Sequence, residues 1–133
     1  FADMAPKARL PEVVASADIH VVPLRSGLAR SSVPSKLYTI LAAGRPVVAS
    51  VDAGTEVART VEAAGAGLAV PPDDPEAFTK AIERLIRAPE EATAMGAAGR
   101  RFVEGWASPD AVAESYERLF EELVADRRGR RRA

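Results

Sequence analysis

Apolar positions along the chain fall into short blocks of two kinds, separated by glycine, proline or acidic turns. Residues 17–24 (ADIHVVPL) are rich in β-branched side chains and almost continuously apolar, the pattern of a strand covered on both faces in a parallel sheet. Residues 45–51 (RPVVASV) repeat that pattern, and residues 67–70 (GLAV) give a third, shorter run. Between them the period changes. Residues 35–43 place Leu37, Ile40 and Leu41 at helical spacing, and Gly44 supplies the stop. Residues 55–65 put Val57, Val61 and Ala64 on one helical face and again stop at glycine. A short helix is expected over residues 10–17, after Pro11. Beyond the turn PPDD, with Asp74 as a cap and Pro75 at the first helical position, a helix runs to Ala88. A second covers residues 89–105, and a last one starts at Ser108–Pro109 and carries Val112, Tyr116, Leu119, Phe120 and Leu123.

Alternating strands and helices with short links predict an α/β fold, a parallel sheet with flanking helices, closed by a helical segment. Three strands are few for such a sheet. The chain therefore reads as the second half of a domain whose earlier strands lie upstream of Phe1. Its parts are residues 1–105 as the sheet domain, 106–126 as a C-terminal helix and 127–133 as a basic tail.

Composition narrows the chemistry. The 133 residues include no cysteine, which removes disulfides and thiolate catalysis, and the single histidine, His20, does not make a zinc site unaided. No window approaches the ~20 apolar residues of a membrane-spanning helix. The 18 basic and 19 acidic residues give a net charge of −1, but five of the arginines crowd into residues 127–132 (RRGRRR). The body is acidic and the end basic. That end is a solvated terminus or a contact for an anionic membrane, and without a basic, aromatic face nucleic acid is not an expected partner.

The segment GLARSSVPSKLYTILAAGRPVVAS carries the candidate chemistry. In open parallel sheets, ligands gather at the C-terminal ends of strands, where loops lead into helices. The loop after residues 17–24 is long and has little to pack. The helix after it begins with Pro34, Ser35 and Lys36. Spare backbone N–H groups, a hydroxyl and an ammonium at one helix start suit an anion. A cation there opposes the helix dipole by about 0.3–1 kcal/mol, and a bound anion would remove that cost. An ordinary helix start with its lysine in water is the competing reading of the same residues.

The ordered set of AD–strand–P, PSK, AAGRPVVAS, a following Glu and GAGLAVPPDDPEA resembles the C-terminal domain of the family-4 retaining glycosyltransferases, over residues 10–88. The likeness is to the branch that builds bacterial surface polysaccharide, of the colanic-acid glycosyltransferase type. It implies one Rossmann-like, nucleotide-sugar-binding half of the two-domain GT-B architecture. The diphosphate of a UDP- or GDP-linked sugar would sit on Pro34, Ser35 and Lys36, with Ser31, Ser32 and Val33 over the sugar and phosphate. The family pattern also has two glutamates, the second gripping the ribose. Here those positions hold Ser31 and Thr39, so Thr39 is left with at most one hydrogen bond to offer.

The implied reaction moves a sugar to an acceptor hydroxyl with retention, without a cofactor and without a metal, since no Asp-x-Asp pair is present. The acceptor side would come from a missing N-terminal domain, so this piece alone would be inactive. The expected location is cytoplasmic, peripheral at the inner face of the membrane if the arginines act there. Two rivals remain: a non-catalytic nucleotide-sugar-binding or interaction module on the same fold, and a sugar-nucleotide epimerase using His20 and Glu56 as acid and base. A dinucleotide oxidoreductase is disfavoured, because Gly65 and Gly67 precede a strand instead of following one. His20 is expected to be packed and hydrogen-bonded. Glu56 reads either as a favourable charge on a first helical turn or as a donor contact. Asp73 and Asp74 are both expected to cap the next helix.

Overall fold

A computed structural model describes residues 5–28 and 35–130, with side chains through Arg127. Ser31, Ser32, Val33 and Pro34 of the expected site therefore lie outside the described residues, as do Arg131 and Arg132. A 3-10 turn (Lys7–Arg9) leads into α1 (Leu10–Ala15), β1 (His20–Pro23), α2 (Lys36–Ala42), β2 (Val47–Ser50), α3 (Glu56–Ala64) and β3 (Gly67–Val70). Three helices follow: α4 (Pro75–Arg87), α5 (Pro89–Ala107) and α6 (Pro109–Arg130). The described strands form one parallel sheet in the order β1-β2-β3. The register sets His20 beside Val47 and Val47 beside Gly67.

Strand β2 shows why its sequence is apolar throughout. Successive side chains point to opposite faces. Val47 and Ala49 join Leu37, Leu41, Val57 and Val61 in one core, while Val48 joins Ala81, Leu85 and Ala92 in another. All four residues of β2 are buried, as the pattern predicts for a strand covered on both sides. Each buried leucine or valine contributes about 1.5–3 kcal/mol of apolar transfer. Helices α2 and α3 thus share one face of the sheet, and α4 covers the other, with α5 contributing to both cores.

The same expectation fails for β1. It is shorter than residues 17–24 and only Val22 is buried, while Val21 is 48% exposed. Its one described neighbour is β2. An apolar run does not by itself say which of its side chains an adjoining helix covers.

The turns follow their chemistry. Gly44 and Gly65 take positive φ (69° and 57°) just past α2 and α3. The Thr55 hydroxyl accepts the Ala58 N–H and caps α3, and the Asp74 carboxylate accepts the Ala77 N–H at 2.9 Å and caps α4. Asp73 does not cap α4: its carboxylate reaches across to the loop after β1. Trp106 packs edge-on against Tyr38 and Phe102, joining α5 to α2. Among the described residues the Tyr116 ring meets the ring of Phe120 alone, and the apolar row of α6 (Val112, Tyr116, Leu119, Phe120, Leu123, Val124) is exposed. Helix α6 runs to Arg130, so its helical backbone continues past residue 127 into the first of the arginines.

Candidate functional site

Helix α2 follows the loop after β1 and packs Leu37, Ile40 and Leu41 into the core. That burial fixes its other side outward. Ser35, Lys36 and Thr39 line a groove of about 740 Å3, whose floor is β1 and whose far wall is Leu10 and Val14 of α1. Lys36 and Thr39 are three positions apart, which puts them on one helical face. Ser35 stands at the N-cap position in helical conformation, and its hydroxyl makes no capping bond. Among the described residues no carboxylate lies within ion-pair distance of Lys36. The groove thus offers an unpaired ammonium, a spare hydroxyl and a second hydroxyl three residues on.

His20 also lines this groove, but it is engaged. Its Nε2 lies 2.8 Å from the Val14 carbonyl, an oxygen that only accepts, so Nε2 carries the proton. That bond ties β1 to the end of α1 and matches the expected packed histidine. Glu56 opens α3 beyond β2, makes an ion pair with Arg59 at 3.2 Å, and is not among the residues lining the groove. Among the described residues there is no group of three or more His, Cys, Asp or Glu side chains placed to hold a metal ion.

Beside the groove, the three strand ends are bonded together. Asp52, just after β2, accepts the Gly27 N–H at 2.7 Å and the Ser26 hydroxyl at 3.1 Å. Asp73, just after β3, accepts the Ser26 N–H at 3.2 Å. Sequence reasoning passed over Ser26, Gly27 and Asp52. The available signal was an acid placed directly after a buried strand, at the edge of the sheet where ligands gather. A second hollow of about 400 Å3 lies between Arg25, Ser50, Asp73 and the start of α4 at Pro75 and Phe78.

Comparison with known proteins bears on the family and the fold. Residues 1–88 match the family described as glycosyl transferases group 1. A probable glycosyltransferase of Pseudomonas aeruginosa, WbjE, is 35% identical over 72 residues, covering 54% of this chain and 18% of that protein. An exopolysaccharide phosphotransferase of Streptomyces coelicolor is 33% identical over 131 residues, covering 97% of this chain and 13% of that protein. Among solved structures, a sucrose-phosphate synthase from Thermosynechococcus elongatus superposes with a TM-score of 0.74 at 28% identity, over 95% of this chain and 30% of that one. The chain spans less than a fifth of the length of these two curated relatives.

Proposed function

The chain belongs to the group 1 glycosyl transferases and has the fold of a Rossmann-like half of a GT-B enzyme, and from that premise we propose that it holds the sugar donor. The donor is a UDP- or GDP-linked sugar, and the acceptor is a hydroxyl bound by a second, N-terminal domain. The observation that carries the reading is the gathering of Ser35, Lys36 and Thr39 on one wall of the groove beside β1, with the Lys36 ammonium unpaired among the described residues. Ser31, Ser32, Val33 and Pro34 complete the proposed donor loop, from the resemblance alone.

The chemistry follows from charge. As the sugar leaves, negative charge builds on the diphosphate oxygens, and donors fixed in advance toward that charge supply the largest part of such catalysis. In this reading the Lys36 ammonium neutralises it and the Ser35 hydroxyl and first backbone N–H groups of α2 solvate it, so no metal is needed. Thr39 offers one bond to the ribose, and Glu56, paired with Arg59 outside the groove, would reach the donor only by giving up that pair. Transfer proceeds with retention, as in the family-4 enzymes of the colanic-acid type. The name of the Streptomyces relative supports a polysaccharide product. The expected location is cytoplasmic, peripheral at the inner face of the membrane if the arginines act there.

A second reading has an observation of its own. Both glutamates of the family pattern are replaced, by Ser31 and Thr39, which suits a module that keeps the fold and has lost turnover. An epimerase is less favoured, since His20 is committed to the Val14 carbonyl. Titration calorimetry on the full-length protein separates these. A donor-binding enzyme binds UDP or GDP with a preference for one base, and Lys36→Ala weakens that binding about tenfold or more, the scale of a charge-assisted contact to phosphate. If the full-length protein binds neither nucleotide, the module reading takes its place.

A further inference from the structure

The loops that follow the three parallel strands are joined by side chains. The Asp52 carboxylate divides its oxygens: Oδ2 accepts the Gly27 N–H at 2.7 Å and Oδ1 accepts the Ser26 hydroxyl at 3.1 Å. The peptide carbonyl of Asp52 faces another task, accepting the Thr55 hydroxyl at 2.7 Å at the start of α3. One residue therefore binds the lead into α2 and the lead into α3. From the third strand end, Asp73 Oδ2 accepts the Ser26 N–H at 3.2 Å. Asp73 is the one non-glycine with positive φ among the described residues, at 56°. Aspartate tolerates that conformation better than most residues, and here it turns the carboxylate toward β1 and away from α4, which Asp74 already caps.

These bonds lie at exposed positions, where no core packing could hold the loop instead. Hydrogen bonds from N–H or O–H to an ionised carboxylate are the strong kind. The arrangement also sets two negative charges beside a groove read as an anion site, a local conflict of the sort that functional sites retain. We propose that Asp52, backed by Asp73, is a positioning residue: it fixes where the link to α2 leaves the sheet, and so the stance of Lys36. As a statement about donor binding, this rests on the reading above.

The test uses the full-length protein with Asp52→Ala and Asp52→Asn. The asparagine can keep both contacts, its oxygen accepting from Gly27 and its amide donating to the Ser26 hydroxyl. Hydrogen exchange is followed at Gly27 and at Ile40 and Leu41, whose N–H groups close the first turn of α2. Binding of UDP and GDP is measured alongside. Asp52→Ala is expected to speed exchange at all three amides about tenfold and to weaken nucleotide binding about tenfold, with Asp52→Asn close to wild type. Lys36→Ala should cost less on the Asp52→Ala background than alone, because both act through one contact. Faster exchange confined to Gly27, or losses from Asp52→Ala and Lys36→Ala that simply add, overturns the proposal. Should the wild type bind neither nucleotide, the donor reading fails by itself. The exchange rates then decide the clasp: coupling to Ile40 and Leu41 supports it, and its absence overturns it.

Discussion

Thr39 is the residue at which this chain departs most plainly from the family pattern. It lies in the groove with Ser35 and Lys36, and the resemblance to the family-4 enzymes implies a ribose-binding glutamate at its position. A threonine offers one neutral hydroxyl; a glutamate offers two charged acceptors to the two ribose hydroxyls. Hydrogen bonds to a charged group are worth about 1.5–3 kcal/mol net, so Thr39→Glu should raise nucleoside diphosphate affinity about tenfold or more. Calorimetry with the 2′,3′-dideoxy nucleotide provides the check, since the gain should vanish when the ribose hydroxyls are gone. An equal gain for both nucleotides would place the ribose elsewhere. The placing of Ser35 and Lys36 at the start of a helix that follows a strand was legible in the sequence. The Ser26, Gly27 and Asp52 contacts were not, because an aspartate after a strand looks like any polar turn residue until a partner 25 positions earlier is beside it.

At the scale of elements, the stop after α2 and a glycine far along the chain turn out to be one feature. A Cβ on Gly96 of α5 would run into the Gly44 carbonyl and come within 3.2 Å of the Arg45 Cα. The two backbones touch there, and touching lets α5 cover Leu41 and Ala66 with Gly99. Gly96→Ala should therefore destabilise the fold by about 1–3 kcal/mol, the overpacking cost outweighing the helix propensity that alanine restores. Gly105, near the end of the same helix, has nothing within 4 Å of the added carbon. Gly105→Ala should stabilise by about 0.5–1 kcal/mol, and urea midpoints of the two variants should move in opposite directions. Both midpoints rising together would show that α5 does not approach the end of α2 this closely. The sequence pattern announced a helix here from its length and its proline start. It could not announce the close approach, because small residues in a helix look alike whether they face a neighbouring backbone or water. The opposite error occurred at β1, where an apolar run looked covered on both faces and Val21 proved exposed.

At the scale of the whole molecule, the open question is what covers the apolar row of α6 and what the arginines after it meet. Among the described residues no helix is long and apolar enough to cross a membrane. Two features pull in opposite directions. Tyr116 and Phe120 are 57% and 59% exposed, beside Leu119 and Leu123, which favours insertion at an interface. Glu114, Glu117 and Glu121 recur along the same helix and would be repelled by anionic lipid. The five arginines of residues 127–132 then decide the sign, each adding about 1 kcal/mol of attraction near such a surface. The expected result is binding to vesicles containing phosphatidylserine or phosphatidylglycerol, none to neutral phosphatidylcholine vesicles, and release as salt shortens the screening length from about 10 Å at 0.1 M toward 3 Å at 1 M. Removing residues 127–133 should abolish the binding, while Leu119→Ser with Leu123→Ser should only weaken it. Vesicle sedimentation of these variants measures both. Unchanged binding after removal of the arginines would end the membrane reading, and would leave the apolar row of α6 as a surface for protein.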